Sequence, residues 1–255
     1  MSVSFDFTGK SVLITGASSG IGQGVASAFA KAGADLTILS STNSIYDAAA
    51  AMHGNVKAIK CDISDASAVT AALAGINRLD VLINNAGLEK PTPLSGTNPS
   101  GDATFERVIA INVNGTRNVT DSLINRIPNQ GRIIITSSIW GKTAVGGFSA
   151  YVASKHANVG LMRTWAKELG PRGICVNAIC PGWVRTGPAM SSLGDLARTQ
   201  GTSQESLLAE IMSAQAIDGL MTPEDMAETY MFLASEGGRN ITGQAINVDR
   251  GEVMS

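Results

Sequence analysis

Ser11-Val-Leu-Ile-Thr-Gly-Ala-Ser-Ser-Gly-Ile-Gly22 decides the fold. Ser11 to Ile14 is short, apolar and β-branched, and it is entered from the polar Thr8-Gly9-Lys10, which predicts a buried strand. Ile21, Val25, Ala28, Phe29 and Ala32 then recur at helical spacing until Gly33 ends the run. The glycines therefore sit in a strand-to-helix turn. Such a turn needs residues without Cβ, both for positive φ and to let a pyrophosphate approach amides at a helix N-terminus. The spacing Gly-x-x-x-Gly-x-Gly differs from the Gly-x-Gly-x-x-Gly dinucleotide fingerprint, so this segment alone also admits a glycine-rich turn without a ligand.

Strands and helices alternate along the rest of the chain. Strands are expected at Ser11–Thr15, Leu36–Leu39, Val56–Lys60, Val81–Ile83, Arg132–Thr136, Cys175–Ile179 and Ala245–Val248. Helical patterns fill Ile21–Ala32, Ile45–Met52, Ala66–Leu73, Thr104–Asn125, Ala150–Leu169 and Pro223–Ser235. This order predicts an α/β fold: a single-domain, Rossmann-like, doubly wound parallel sheet of about seven strands flanked by helices. One dinucleotide-binding and catalytic domain is expected over 1–255. Thr186–Ser203, rich in Gly, Ser, Thr and Met, reads as an irregular loop before a short helix near Gln204–Met212. At the ligand edge such a stretch is expected to act as a lid around 186–213, the alternative being an ordinary mobile insertion.

Tyr151-Val-Ala-Ser-Lys155 carries the chemistry, with Ser138 thirteen residues upstream. Positions i and i+4 share a helix face, so Tyr151 and Lys155 point into one space. A phenol titrates near 10, so acid–base work near neutrality asks for a drop of about 3 units, about 4 kcal/mol. An ammonium about 5 Å away supplies about 3 kcal/mol at an effective dielectric near 20, which is the right order. A hydroxyl from Ser138 then holds the oxygen that the phenol protonates. Strand alternation sends Ser137 the opposite way.

Thr15-Gly-Ala-Ser-Ser-Gly-Ile-Gly22, Asn84-Asn-Ala-Gly87, Asn112, Ser138, Tyr151-x-x-x-Lys155 and Pro181-Gly182 stand in the order and spacing of the short-chain dehydrogenase/reductase family. The resemblance runs from about Lys10 to about Val248. It implies that Tyr151 is the general acid for carbonyl reduction and the base for alcohol oxidation. Lys155 is implied to lower its pKa and to bond the ribose hydroxyls of a nicotinamide cofactor. Ser138 is implied to polarise the carbonyl, and Asn112 to hold a water that relays protons to Lys155. Asn114 is the nearest competitor for that last role, and a polar residue satisfied in the core is the plain alternative.

The same resemblance implies cofactor contacts at Gly16, Ser18, Ser19, Gly20, Ile21 and Gly22. It extends them to Ser40, Ser41, Asp62, Ile63, Asn85, Ala86, Gly87, Pro181, Gly182, Val184 and Thr186, beside Tyr151 and Lys155. Asn84 either joins them or braces the central strands. Asp62 accepts from the adenine amino group or else caps the helix beginning near Asp65. The end of the second strand holds Ser40, Ser41 and Thr42 in place of the carboxylate that selects NAD. The family's usual basic residues, at the places of Ser19 and Ser41, are missing too. The expectation is NAD(P), with NADP slightly favoured over NAD. Asp249-Arg250-Gly251 replaces the commoner Asp-Gly-Gly; the extra cation serves an oligomer contact or the substrate mouth, or, more simply, is exposed and idle.

Adjacency to these motifs nominates Trp140, Trp183, Glu89 and Lys142, with Ser138 and Tyr151, as substrate contacts, and Leu88, Phe148 and Met190 as further walls. Lys142 and Arg185 offer cations for a carboxylate or phosphate, and Glu89 an acceptor for sugar hydroxyls. A secondary alcohol or ketone of a small polar hydroxy compound (sugar, polyol or hydroxy acid) is the expected substrate. A ketoacyl thioester or other apolar carbonyl is the alternative. A lyase or epimerase on the same scaffold would lack part of the Asn-Ser-Tyr-Lys set, and a nucleotide sensor would have lost Tyr or Lys; all four are present. Val113, Val119, Val159, Leu161 and Trp165 spread apolar surface over more than one helix face, and with the family likeness imply a homotetramer.

Composition agrees. Hydrophobic content of 44% allows a large core in 255 residues. Net charge is −2 with no Lys/Arg cluster, which argues against nucleic acid or an anionic membrane as partner. No apolar run reaches the ~18 residues that span a bilayer, and Met1-Ser-Val-Ser-Phe-Asp has no signal-peptide character. Three cysteines without Cys-x-x-Cys spacing suit a reducing cytoplasm, where the sequons at Asn114, Asn118 and Asn240 carry no meaning. Two histidines and three scattered cysteines offer no metal site.

Overall fold

The computed structural model describes residues 3–94 and 99–254. Seven strands form one parallel sheet: β1 (Ser11–Thr15), β2 (Asp35–Ser40), β3 (Val56–Lys60), β4 (Val81–Asn84), β5 (Arg132–Thr136), β6 (Cys175–Pro181) and β7 (Ala245–Val248). Their order is β3-β2-β1-β4-β5-β6-β7. The chain winds outward from β1 to β3, then returns beside β1 and winds the other way. That reversal leaves a crevice at the carboxyl ends of β1 and β4, where ligands of such sheets bind.

Helices cover both faces because each central strand is apolar on both sides. Val12 and Ile14 of β1 face one layer, packing with Val25 and Phe29 of α1 (Gly20–Lys31), Ile45 of α2 (Ser44–Ala50) and Tyr230 of α9 (Pro223–Ala234). Leu13, between them, faces the other layer: Val69 of α3 (Ala66–Ala72), Leu123 of α5 (Thr116–Leu123) and Met162 of α6 (Ser149–Leu169). Each such fully buried Leu, Ile or Phe stabilises by about 1.5–3 kcal/mol, so the two faces together hold the sheet in place. Gly24 lets α1 and α9 approach closely: a Cβ there would lie 2.7 Å from the Cβ of Pro223.

Two expectations about helices need correction. The helix expected over Thr104–Asn125 begins as α4 at Pro99–Ile109, widens into a π-helical turn at Ala110–Gly115, resumes as α5 and ends in a 3₁₀ turn. Thr186–Ser203 is no loop. Gly187–Gln200 forms α7, opened by Thr186, whose Oγ1 accepts from the Ala189 amide at 3.2 Å, and ended at Gly201 with φ +67°. Leu193 and Ala197 on one face of α7 pack with Leu207 of α8 (Gln204–Ser213), and Trp183 and Met190 join that cluster. Among the expected interface positions, Val119 and Val159 are buried in the sheet-facing core; Val113, Leu161 and Trp165 are half-buried.

Candidate active site

The crevice is a cleft of about 390 Å³. The glycine turn forms its floor. Gly16 has φ +67°, and a Cβ there would lie 2.6 Å from Ala86 Cα; one at Gly22 would lie 2.3 Å from the Gly16 carbonyl oxygen. Thr15 locks the turn to the end of β4, its Oγ1 accepting from the amides of Asn85 and Ala86 at 3.0 Å each. Ser19 precedes α1 without capping it by side chain, so the first amides of a twelve-residue helix face the cleft as donors. That is the cradle a dinucleotide pyrophosphate requires.

Every cofactor position expected from the sequence lines this one cleft. Beside the glycine turn a run of hydroxyls continues from β2: Ser18 and Ser40 Oγ atoms lie 2.9 Å apart, Ser40 and Thr42 3.3 Å, Thr42 and Ser44 2.7 Å. Asp62 is held by the Arg107 guanidinium at 2.6 Å and by Ser64. Burial raises its carboxyl, but the hydrogen bonds from Ser64 and Arg107 outweigh this and hold it below the ordinary value. Asp65 caps α3, accepting from the amides of Ser67 and Ala68. Asn84 braces the core, donating to Thr120 at 3.0 Å. Arg107 is a cleft residue the sequence did not single out; only the third dimension sets it opposite Asp62.

Tyr151 and Lys155, one turn apart on α6, meet Ser138 at the end of β5. The Ser138 hydroxyl hydrogen-bonds the phenol and accepts from the Trp140 amide at 3.1 Å. Ser137 turns away and donates to the Lys155 carbonyl at 3.0 Å. Lys155 Nζ donates to the Thr136 carbonyl at 2.8 Å and lies 5.3 Å from the centroid of the Tyr151 ring. Burial lowers the lysine to about 8, with Cys180 and Glu89 pulling the other way. The phenol departs from expectation. It is pushed above its ordinary value, first by burial and then by the Glu89 carboxylate, while Ser138 opposes both. Tyr151 is therefore a neutral phenol, an acid holding its proton beside Ser138.

Asn112 is fully buried on the π-helical turn. Its Oδ1 accepts from the Leu88 amide at 2.7 Å, and its Nδ2 donates to the Leu88 carbonyl at 3.0 Å and to Ser154 Oγ at 2.9 Å. Ser154 in turn donates to the Tyr151 carbonyl at 2.7 Å. The Asn112 side chain thus clamps residue 88 to the helix that carries Tyr151.

Aromatic rings build the mouth. Trp140 stands edge-on to Tyr151 at 6.0 Å and to Trp183 at 6.3 Å, with Phe148 at 5.6 Å. Leu88, Glu89, Trp140 and Trp183 line the cleft. Lys142, Arg185, Phe148 and Met190 do not reach its wall: Arg185 is exposed, Phe148 sits behind Trp140, and Met190 packs in the α7–α8 cluster. Glu89 carries a hydrogen bond with Ser192 of α7, and burial raises its carboxyl above the ordinary value against the pull of Ser192 and Lys155.

Comparison with known proteins gives concordant matches. A family model described as enoyl-(acyl carrier protein) reductase matches residues 16–252. The oxidoreductase UcpA of Salmonella typhimurium is 37% identical over 258 residues, covering 97% of this chain and 95% of its own. The 3-oxoacyl-(acyl-carrier-protein) reductase FabG of Thermotoga maritima is 33% identical over 256 residues, covering 96% and 98%. The crystal structure of 3-ketoacyl-(acyl-carrier-protein) reductase from Brucella melitensis complexed with NADH aligns with a TM-score of 0.82 at 28% identity. That alignment covers 98% of this chain and 100% of the other.

Proposed function

The chain belongs to the short-chain dehydrogenase/reductase family and is an NAD(P)-dependent oxidoreductase; from its cleft we propose that it interconverts a secondary alcohol and a ketone on a small, polar, hydroxylated compound. The observation that carries this reading is the meeting of Ser138, Tyr151 and Lys155 in one corner of the cleft.

The nicotinamide, when bound, supplies or accepts the hydride. The protein's own residues handle the proton. Ser138 presents a hydroxyl to the substrate oxygen, and Tyr151, kept neutral by burial, delivers its phenolic proton to the same atom. Lys155 sets a cation beside the ring and stabilises the phenolate as it forms. The rings of Trp140 and Trp183 border this corner, and a substrate seated against them displaces water, which strengthens each of these interactions.

NADP is the proposed coenzyme. The hydroxyls of Ser18, Ser40, Ser41 and Thr42 stand where a carboxylate would repel a 2′-phosphate, and neutral donors accept one. We further propose that α7 and α8 form a lid, that the protein is cytoplasmic, in keeping with three buried free cysteines, and that it assembles as a homotetramer. The names of the ketoacyl reductases among its relatives favour a second substrate reading, a ketoacyl thioester. Initial rates with each coenzyme against polyols, hydroxy acids and an acetoacetyl thioester test both. Turnover of the thioester alone would overturn the hydroxylated-substrate reading, and tighter calorimetric binding of NADH than NADPH would overturn the coenzyme choice.

A further inference from the structure

Four charged residues line the cleft among those described: Asp62, Glu89, Arg107 and Lys155. Asp62 and Arg107 pair with each other toward the adenosine end, and Lys155 is committed to the Thr136 carbonyl beside the catalytic phenol. Among the described lining residues, Glu89 is the one anion on the substrate side, facing the Lys155 cation across the Tyr151 ring. Its backbone origin is fixed, because both ends of the Asn112 amide hold its neighbour Leu88. Its carboxyl meets the Ser192 hydroxyl on α7, the helix that overhangs the mouth, and its charge acts on both Tyr151 and Lys155. The cations that would have balanced an anionic substrate, Lys142 and Arg185, do not line the wall.

We propose that Glu89 is the specificity-determining residue of this site: it accepts hydrogen bonds from a hydroxyl next to the reacting carbon and rejects substrates carrying a carboxylate or phosphate there. Ser192 supplies the hydroxyl that satisfies the carboxylate, and a substrate hydroxyl takes over the same acceptor. Glu89 thereby narrows the class proposed above, on which this inference rests, from sugars, polyols and hydroxy acids to the neutral members. A second anion placed about 5 Å from a carboxylate, at an effective dielectric near 20, is disfavoured by a factor on the order of 100.

The test compares kcat/KM for butane-2,3-diol and 3-hydroxybutyrate in wild type, Glu89→Gln and Glu89→Asp, with folding checked by circular dichroism. Wild type is expected to favour the diol by about 10- to 100-fold. Glu89→Gln should cut that ratio by at least about tenfold through a lower KM for the acid, and Glu89→Asp, which keeps the charge, should retain it. An unchanged ratio in Glu89→Gln overturns the inference, and so does a collapsed ratio in Glu89→Asp. If wild type turns over neither probe but reduces an acetoacetyl thioester, the substrate class proposed above is what fails. Selectivity is then read from competitive inhibition of that reaction by glycerol and glycerate. Glycerate inhibition at least about tenfold stronger in Glu89→Gln supports the inference, and equal or weaker inhibition overturns it.

Discussion

In the proposed reaction Tyr151 serves as the acid, because its surroundings keep it neutral. Burial and the Glu89 carboxylate both disfavour phenolate, and the Ser138 hydroxyl orients the proton it must give up. Tyr151→Phe removes the proton and leaves the ring's packing against Trp140 intact. Turnover should fall by about 10²–10⁴-fold or more while coenzyme affinity measured by calorimetry stays within a few-fold. Activity near wild type in that variant would remove Tyr151 from its role. Lys155 makes a second prediction. Its folded value of about 8 lies below the ordinary 10.5, so the native chain holds this proton less tightly than the unfolded chain. The difference costs about 3 kcal/mol of stability below pH 8, and the cost is lifted as pH climbs from about 8 toward 10.5. Lys155→Met carries no such cost. Its melting temperature should exceed that of wild type most at pH 7, and the margin should shrink by pH 10. The i, i+4 spacing made both residues legible in the sequence. The sign of the phenol's shift was not, since Glu89 lies sixty-two positions away and reaches the ring only through the fold.

At the scale of elements, close approach decides what the helices tolerate. Gly24 sits where α1 crosses α9, with a would-be Cβ 2.7 Å from Pro223 and 2.8–2.9 Å from its backbone. Gly24→Ala gains helix propensity, worth up to about 1 kcal/mol, but overpacking costs about 1–3 kcal/mol, so the helices must part. A lower melting temperature is expected, and an unchanged or higher one would show that this crossing has slack. The sequence marked the strands well because parallel strands buried on both faces read as continuous apolar runs, as in Ile133-Ile-Ile135. It hid α7. Gly187, Ser191, Ser192 and Gly194 are poor helix formers, and the segment's composition outweighed the signals at its ends: the Thr186 cap, Pro188 in the first turn and Gly201 at the close. The π-helical turn around Asn112 was equally unreadable, because no local signal marks it and the Asn112 side chain's partner, Leu88, is distant in sequence.

For the whole molecule, the doubly wound parallel sheet and the meeting of motifs at one edge followed from strand–helix alternation and the right-handed crossover rule, whereas the strand order comes from the structure. What alternation could not say is which helix faces remain to be covered. With Val119 and Val159 committed to the core, the half-buried Val113, Leu161 and Trp165 are the candidates for contact between subunits. Light scattering should give a mass four times that of the chain, and a monomeric mass would contradict the proposed tetramer.

The tryptophans have a practical consequence. The chain has three, and two of them, Trp140 and Trp183, stand edge-on at the mouth beside the phenol. Ultraviolet excitation therefore falls largely on indoles that border the reaction space. A dihydronicotinamide docking there will quench their emission by energy transfer, so occupancy can be titrated optically without a label and without knowing the substrate.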